Sequence, residues 1–167
     1  MLTAILLDDA AWTQVSEERR QEWRLAIREI LDEHVFRIDK DRWLLRLSWT
    51  PASLELKFES PGDGVFAEVA VPRAELDPLV KEYAEICRDL SAMDAGPVDA
   101  KKLTVLDHAK RDAHDVAGKL LARHLDAVAP THDTARKLFT LLVVLWVDTT
   151  QLSVLLRPHG VGTIVRT

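Results

Sequence analysis

Hydrophobic residues recur with two different periods along the chain, and the period changes near residue 43. From Glu17 to about Val35, apolar side chains return every three to four residues, which is typical of an amphipathic helix. Ser16 stands before this segment as an N-cap, and the acidic residues that follow it suit the first turn of a helix. The apolar run from Thr3 to Leu7 predicts a strand ahead of the helix.

Apolar and polar positions alternate from residue 43 to residue 71, which indicates three strands. The segments 50–52 and 60–64 contain Pro or Gly and separate these strands as turns. Strands joined by such short turns predict an antiparallel meander with one buried face. The alternation turns Leu45, Leu47, Leu54, Leu56, Phe58, Val69 and Val71 inward, and Arg46, Glu55, Lys57 and Glu59 outward.

Helical spacing returns in the second half of the chain and predicts three more helices. Asp77 is placed as the N-cap of the second helix, with Pro78 as its first residue. Asp99 caps a long third helix reaching about Val128, whose predicted buried residues are Leu103, Leu106, Ala113, Val116, Leu120 and Leu121. Thr131 or Asp133 caps a fourth helix, which is apolar on all sides and is therefore expected at the centre.

The segment 149–167 combines two apolar runs around a turn-like sequence at 157–160. A hairpin and a loosely docked arm both fit this tail. Its alternation also favours a strand that pairs with a sheet edge, either its own or that of a second subunit. We expect one domain over residues 1–167 of the α+β class: a small antiparallel sheet, made of the meander and the N-terminal strand, packed by about four helices in the order β-α-β-β-β-α-α-α.

Composition and charge narrow the class of protein. Apolar residues make up 47% of the 167 residues, which suits a globular domain with a buried core. A net charge of −5 without a basic stripe argues against nucleic acid as a partner. Cys87, the single cysteine, fits a reducing cytosol, and no secretion signal is visible. The apolar run from Leu138 to Val147 is about half of the ~20 residues that cross a membrane, so we expect a cytosolic protein without a membrane partner.

The chain contains the segments Val-Lys-x-Tyr-x-x-Ile-Cys at 80–87 and Asp-Thr-Ala-Arg-Lys-Leu-Phe-Thr-Leu at 133–141. Both resemble signature sequences of a family of uncharacterised bacterial proteins, unknown-function family two-six-two. The sequence from Asp107 to His114 between them is similar to the family's pattern. The resemblance extends to about Trp146. Asp115 departs from the pattern, where a neutral amide is expected, and the tail runs past the usual end. The resemblance implies a shared fold but brings no established activity.

Candidate catalytic residues concentrate on the third helix at Asp107, Arg111 and His114. His114 beside Arg111 has the chemistry of a general base or an anion ligand. Alternatively, His114 is structural, and Arg111 bridges Asp107 and Asp115 on a solvated helix face. His108 and the neighbouring acids supply pairs rather than a closed ligand set, so the sequence predicts no metal and no cofactor.

Arg136 and Trp49 are the candidate ligand-binding residues. Arg136 lies near the start of the fourth helix, where free N–H groups favour an anion. Trp49 offers an aromatic platform, with core packing as the alternative. If the last two helices form an antiparallel hairpin, Arg136 is expected about 15–20 Å from Arg111 and His114, so that these residues form no single site.

Two functions stay open at this point. The first is a non-catalytic protein that binds another protein or forms a homodimer, which fits the apolar tail and the lack of any recognised catalytic motif. The second is a small-anion-binding protein or an enzyme that uses Arg111, His114 and Asp107.

Overall fold

The computed structural model describes residues 1–93, 96–97 and 99–152, so the predicted hairpin, arm or pairing strand of the tail lies outside the described residues. The elements are, in order, β1 (Leu2–Leu7), α1 (Asp9–Thr13), α2 (Glu17–Asp32), β2 (Trp43–Trp49), β3 (Ser53–Ser60), β4 (Gly64–Pro72), α3 (Arg73–Met93), α4 (Ala100–His124) and α5 (His132–Trp146). The α+β class is confirmed. The short helix α1 adds one element to the predicted order.

The four strands form one sheet in the order β1-β2-β3-β4. β2, β3 and β4 pair antiparallel, which confirms the predicted meander. β1 pairs parallel with β2, from Leu2 opposite Trp43 to Leu7 opposite Leu47, so the sheet is mixed rather than wholly antiparallel. The reason is the connection, because a long segment containing α1 and α2 can return the chain to the same end of the sheet.

The sheet has the faces that the alternation predicts. Six of the seven side chains predicted to point inward are buried: Leu45, Leu47, Leu54, Leu56, Phe58 and Val71. Val69, the seventh, is half-buried and packs against the same core. On the opposite face, Arg46 donates to Glu59 on the neighbouring strand at 3.0 Å, and Lys57 lies 3.6 Å from Glu68.

Helix α5 is the central helix, as its apolar sequence predicts. It contacts α2, α3 and α4, and most of its side chains are buried. Thr131 is its N-cap and accepts a hydrogen bond from the Thr134 amide. Trp23 of α2 donates its indole N–H to the Val144 carbonyl at 2.8 Å, which ties the two helices together in the core. No helix within the described ranges combines the length and the hydropathy needed to cross a bilayer.

Helix α3 begins earlier than predicted. Its first residue is Arg73, directly after β4, so Asp77 is not the N-cap and Pro78 lies inside the helix. The Arg73 amide donates to the Ala52 carbonyl, and its guanidinium donates to the Asp77 carboxylate at 2.7 Å. The contact with Ala52 anchors the first turn of α3 to the β2–β3 connection. Pro78 removes one hydrogen bond from the helix.

Helix α4 also differs from its prediction in two respects. It ends at His124 instead of near Val128, and Val116 is 55% exposed rather than buried. The connection that follows runs along the segment after α2: the Arg37 amide donates to the Val128 carbonyl, and the Thr131 amide donates to the Val35 carbonyl. The helix stops here because these contacts divert the chain toward α2.

Candidate functional site

His114 joins α4 to α5 through both of its ring nitrogens. Its Nδ1 lies 3.3 Å from the Arg136 guanidinium, which can only donate, so Nδ1 accepts. Its Nε2 therefore carries the proton and donates to the Arg136 carbonyl at 2.8 Å, with the Thr140 hydroxyl at 2.9 Å. His114 is 8% exposed. This arrangement fits a neutral imidazole that fixes the spacing of two helices.

Asp115 lies on the other side of Arg136. Its carboxylate is 3.2 Å from the Arg136 Nε and 3.2 Å from the His132 Nε2. The Arg136 Nε forms no hydrogen bond, so its attraction to Asp115 is electrostatic. Burial raises the pKa of Asp115, but the hydrogen bond from His132 and the positive charge of Arg136 outweigh burial and leave that pKa lowered. The resulting stabilisation is present above the unfolded pKa and is lost as pH falls through the folded pKa.

Gly118 allows α5 to approach α4 at this point. A Cβ atom on Gly118 would lie 2.8 Å from the Arg136 Cγ and 3.1 Å from the His132 Cε1. Any larger residue would therefore push the start of α5 away from α4.

The structure contradicts the predicted distance between Arg136 and His114. The two side chains are in contact rather than about 15–20 Å apart. The prediction assumed that α5 starts beside the end of α4. The connection instead runs back far enough for His132 to lie against Gly118, which brings Arg136 beside His114.

The other two candidates of the third predicted helix lie elsewhere on its surface. Asp107 and Arg111 are exposed on α4, and the ion pairs of Asp115 are made with His132 and Arg136. Among the described residues, no group of three or more His, Cys, Asp or Glu side chains has a metal-binding arrangement. The anion-binding or enzymatic role of Asp107, Arg111 and His114 stays a prediction.

Helix α3 contributes an aromatic ring, Tyr83, and a thiol, Cys87, to the buried region around His114. The Tyr83 ring lies 5.3 Å from the His114 ring and 5.5 Å from the Phe139 ring. Burial raises the pKa of Tyr83, and burial also raises the pKa of Cys87 to about 11. A thiol with such a pKa is protonated at neutral pH and is therefore a poor nucleophile.

A long hollow beside α2, which we name the edge groove, has a volume of about 670 Å³. It lies between α2 and the edge strand β1, with α1 at one side. Its lining residues are mostly apolar or basic: Ile5, Trp12, Gln21, Arg24, Leu25, Ile27, Arg28, Leu31 and Asp32. Leu25, at the border of this hollow, is 55% exposed.

A smaller hollow, the strand-end pocket, lies where β1 and β2 end. Because the two strands are parallel, their carboxyl ends meet at the same edge of the sheet. The pocket has a volume of about 290 Å³ and is lined by Asp8, Ala10, Ala11, Gln14, Val15, Trp23, Leu47, Ser48, Trp49 and Leu145. The candidate Trp49 therefore lines a pocket, whereas Arg136 belongs to the α4–α5 contact. Neither hollow includes His114.

The sequence analysis predicts neither hollow, although each is accompanied by a signal in the sequence. Leu25 lies outside the apolar stripe that buries Trp23, Ala26 and Ile30, so it is a leucine on the polar side of α2. Asp8 directly follows an apolar strand. Neither signal shows which elements lie opposite, because that depends on the parallel pairing of β1 with β2.

Fold and surface define an α+β protein built on a four-stranded mixed sheet, with two hollows beside its N-terminal strand. The family model described as "Uncharacterised protein family (UPF0262)" matches residues 1–148, and the chain belongs to this family. Membership of the family that the two segments suggest is thereby confirmed.

Bacterial relatives match over most of their length. A UPF0262 protein of Dinoroseobacter shibae is 29% identical over 154 residues, covering 86% of this chain and 96% of the relative. A UPF0262 protein of a Jannaschia species is 31% identical over 148 residues, covering 84% of this chain and 94% of the relative. A third, from Rhodospirillum rubrum, is 29% identical over 147 residues, covering 86% and 91%. No solved structure matches this chain.

Proposed function

We propose that this protein is a non-catalytic interaction module that associates with a second copy of itself through the edge groove. The observation that carries the proposal is an open apolar groove beside the edge strand β1, with Leu25 standing 55% exposed at its border. Contiguous exposed apolar surface rimmed by polar residues marks interaction sites, whereas a single exposed apolar residue does not.

The edge position of β1 supports the same surface. On its outer side, β1 pairs with no strand of the described chain. An unpaired edge next to an apolar groove is a template for contact with another polypeptide unless it is covered. Burial of the groove in an interface would cover the apolar side chains and shield this edge together.

The charges of the groove favour a second copy as the partner. Arg24 and Arg28 come first along α2, and Asp32 follows near its end. A two-fold axis reverses this order in the second copy, so that basic and acidic ends of the two grooves can meet. Self-complementary contacts of this kind are the commonest solution for homo-oligomers.

Sedimentation equilibrium of wild type, Leu25→Glu and Val116→Glu tests the proposal. Val116 is a matched control, because it is also 55% exposed but lies on α4 and lines no part of the edge groove. We expect a monomer–dimer equilibrium for wild type and Val116→Glu and a shift to monomer for Leu25→Glu. A wild type that stays monomeric at all concentrations, or two variants with the same mass, would contradict the proposal.

A further inference from the structure

We propose that the strand-end pocket binds a small organic cation, such as a primary or methylated amine, with Asp8 as its counter-ion and Trp49 as its aromatic platform. The site is separate from the edge groove and does not depend on self-association.

The pocket has fixed walls. Trp23 is 1% exposed and is held by its hydrogen bond to the Val144 carbonyl, and Leu47 and Leu145 are also buried. A cavity bounded by such side chains exists before a ligand enters, so that binding requires little reorganisation. Its volume of about 290 Å³ is at the small end of ligand pockets and fits a small molecule better than a peptide.

The polar groups of the pocket favour a cation. Among its lining residues, all within the described part of the chain, Asp8 is the one acidic or basic residue. The Asp8 side chain does not cap α1, although Asp8 occupies the N-cap position. Gln14 and Ser48 add neutral groups that can accept hydrogen bonds from an ammonium.

Three tryptophan rings lie near this end of the sheet, and their contacts with cations of the protein indicate where a bound cation fits. The Arg19 guanidinium lies 5.7 Å from the centroid of the Trp23 ring, and the Arg73 guanidinium lies 3.7 Å from that of Trp146. Both of these rings already contact a cation of the protein. Among the described residues, no Lys or Arg lies over Trp49. An ammonium over the Trp49 ring would gain the same cation–π attraction and would also lie near Asp8.

Isothermal titration calorimetry with n-butylammonium and tetramethylammonium chlorides tests the site. Sodium butyrate, an anion, and butanol, which is neutral, are the controls for ligand charge. We expect saturable binding of the ammonium ions in the millimolar range and none of butyrate or butanol. Asp8→Asn should weaken ammonium binding by about tenfold or more, because a charge-assisted contact is lost. Asp9→Asn should bind as wild type, because Asp9 is exposed and does not line the pocket.

Three results would overturn the assignment. They are no saturable ammonium binding by wild type, equal affinity in Asp8→Asn, and equal affinity for butanol. Two-dimensional NMR of the indole N–H groups gives a second readout, in which the Trp49 signal should shift with ammonium concentration in wild type and should need about tenfold more ammonium in Asp8→Asn. Equal melting temperatures of the two Asn variants would show that both fold.

Discussion

The polar side chains between α4 and α5 act as a connected set at the residue scale. His114 contacts the backbone and the side chain of Arg136, and Arg136 in turn lies beside Asp115. His114 provides hydrogen-bond partners for the terminal guanidinium nitrogen and the carbonyl of Arg136. Leaving such a group buried and unpaired costs about 1–3 kcal/mol. These contacts link α4 to α5.

The structural role of His114 predicts the outcome of its removal. His114→Ala should lower the free energy of unfolding by about 1–3 kcal/mol, because the Arg136 guanidinium loses its acceptor. Arg111→Ala should change it by no more than about 0.5 kcal/mol, since Arg111 is exposed on the same helix. Urea denaturation measures both, and sedimentation should show unchanged self-association. An unaltered stability with a lost anion or activity would instead support the enzymatic alternative.

The packing of whole elements depends on single positions that a local pattern does not show. The meander could be predicted because each strand alternates by itself and each turn contains Pro or Gly. The contact between α4 and α5 could not be predicted, because it depends on how residues 125–131 run against the segment 35–37. The sequence alone places Arg136 near the end of α4, whereas this connection brings it beside His114.

Gly118 gives a test of this helix contact. Alanine has the higher helix propensity by about 1 kcal/mol, so Gly118→Ala would stabilise an isolated helix. In the folded protein the added methyl group meets Arg136 and His132, and overpacking of this kind costs about 1–3 kcal/mol. We expect a net loss of up to about 2 kcal/mol in urea denaturation.

A double-mutant cycle supplies the control for Gly118→Ala. In an Arg136→Ala background, most of the steric conflict disappears, so the same substitution should cost much less. A stabilisation of about 1 kcal/mol in the wild-type background, as propensity alone gives, would show that the two helices are not in close contact here.

The whole molecule shows which features follow from sequence and which follow from topology. Strand and helix types, the buried face of the sheet and the central place of α5 follow from periods of two and 3.6 residues. The hollows depend on β1, which lies parallel to β2 at the edge of the sheet. Because of that one pairing, Leu25 borders the edge groove and Asp8 lines the strand-end pocket. No short-range pattern around residues 2–7 specifies the pairing.

Self-association through the edge groove is the central claim for the molecule, and thiol labelling tests it directly. The wild-type thiol gives little background, because Cys87 is buried and its pKa is raised to about 11. Gln21→Cys and Val116→Cys each add one exposed thiol, at a lining residue of the edge groove and outside it, and leave Leu25 in place. Maleimide labelling is followed in dilute and in concentrated protein. We predict that labelling at position 21 slows as protein concentration rises, while labelling at position 116 keeps its rate. Equal, concentration-independent rates at the two positions would contradict self-association through the edge groove.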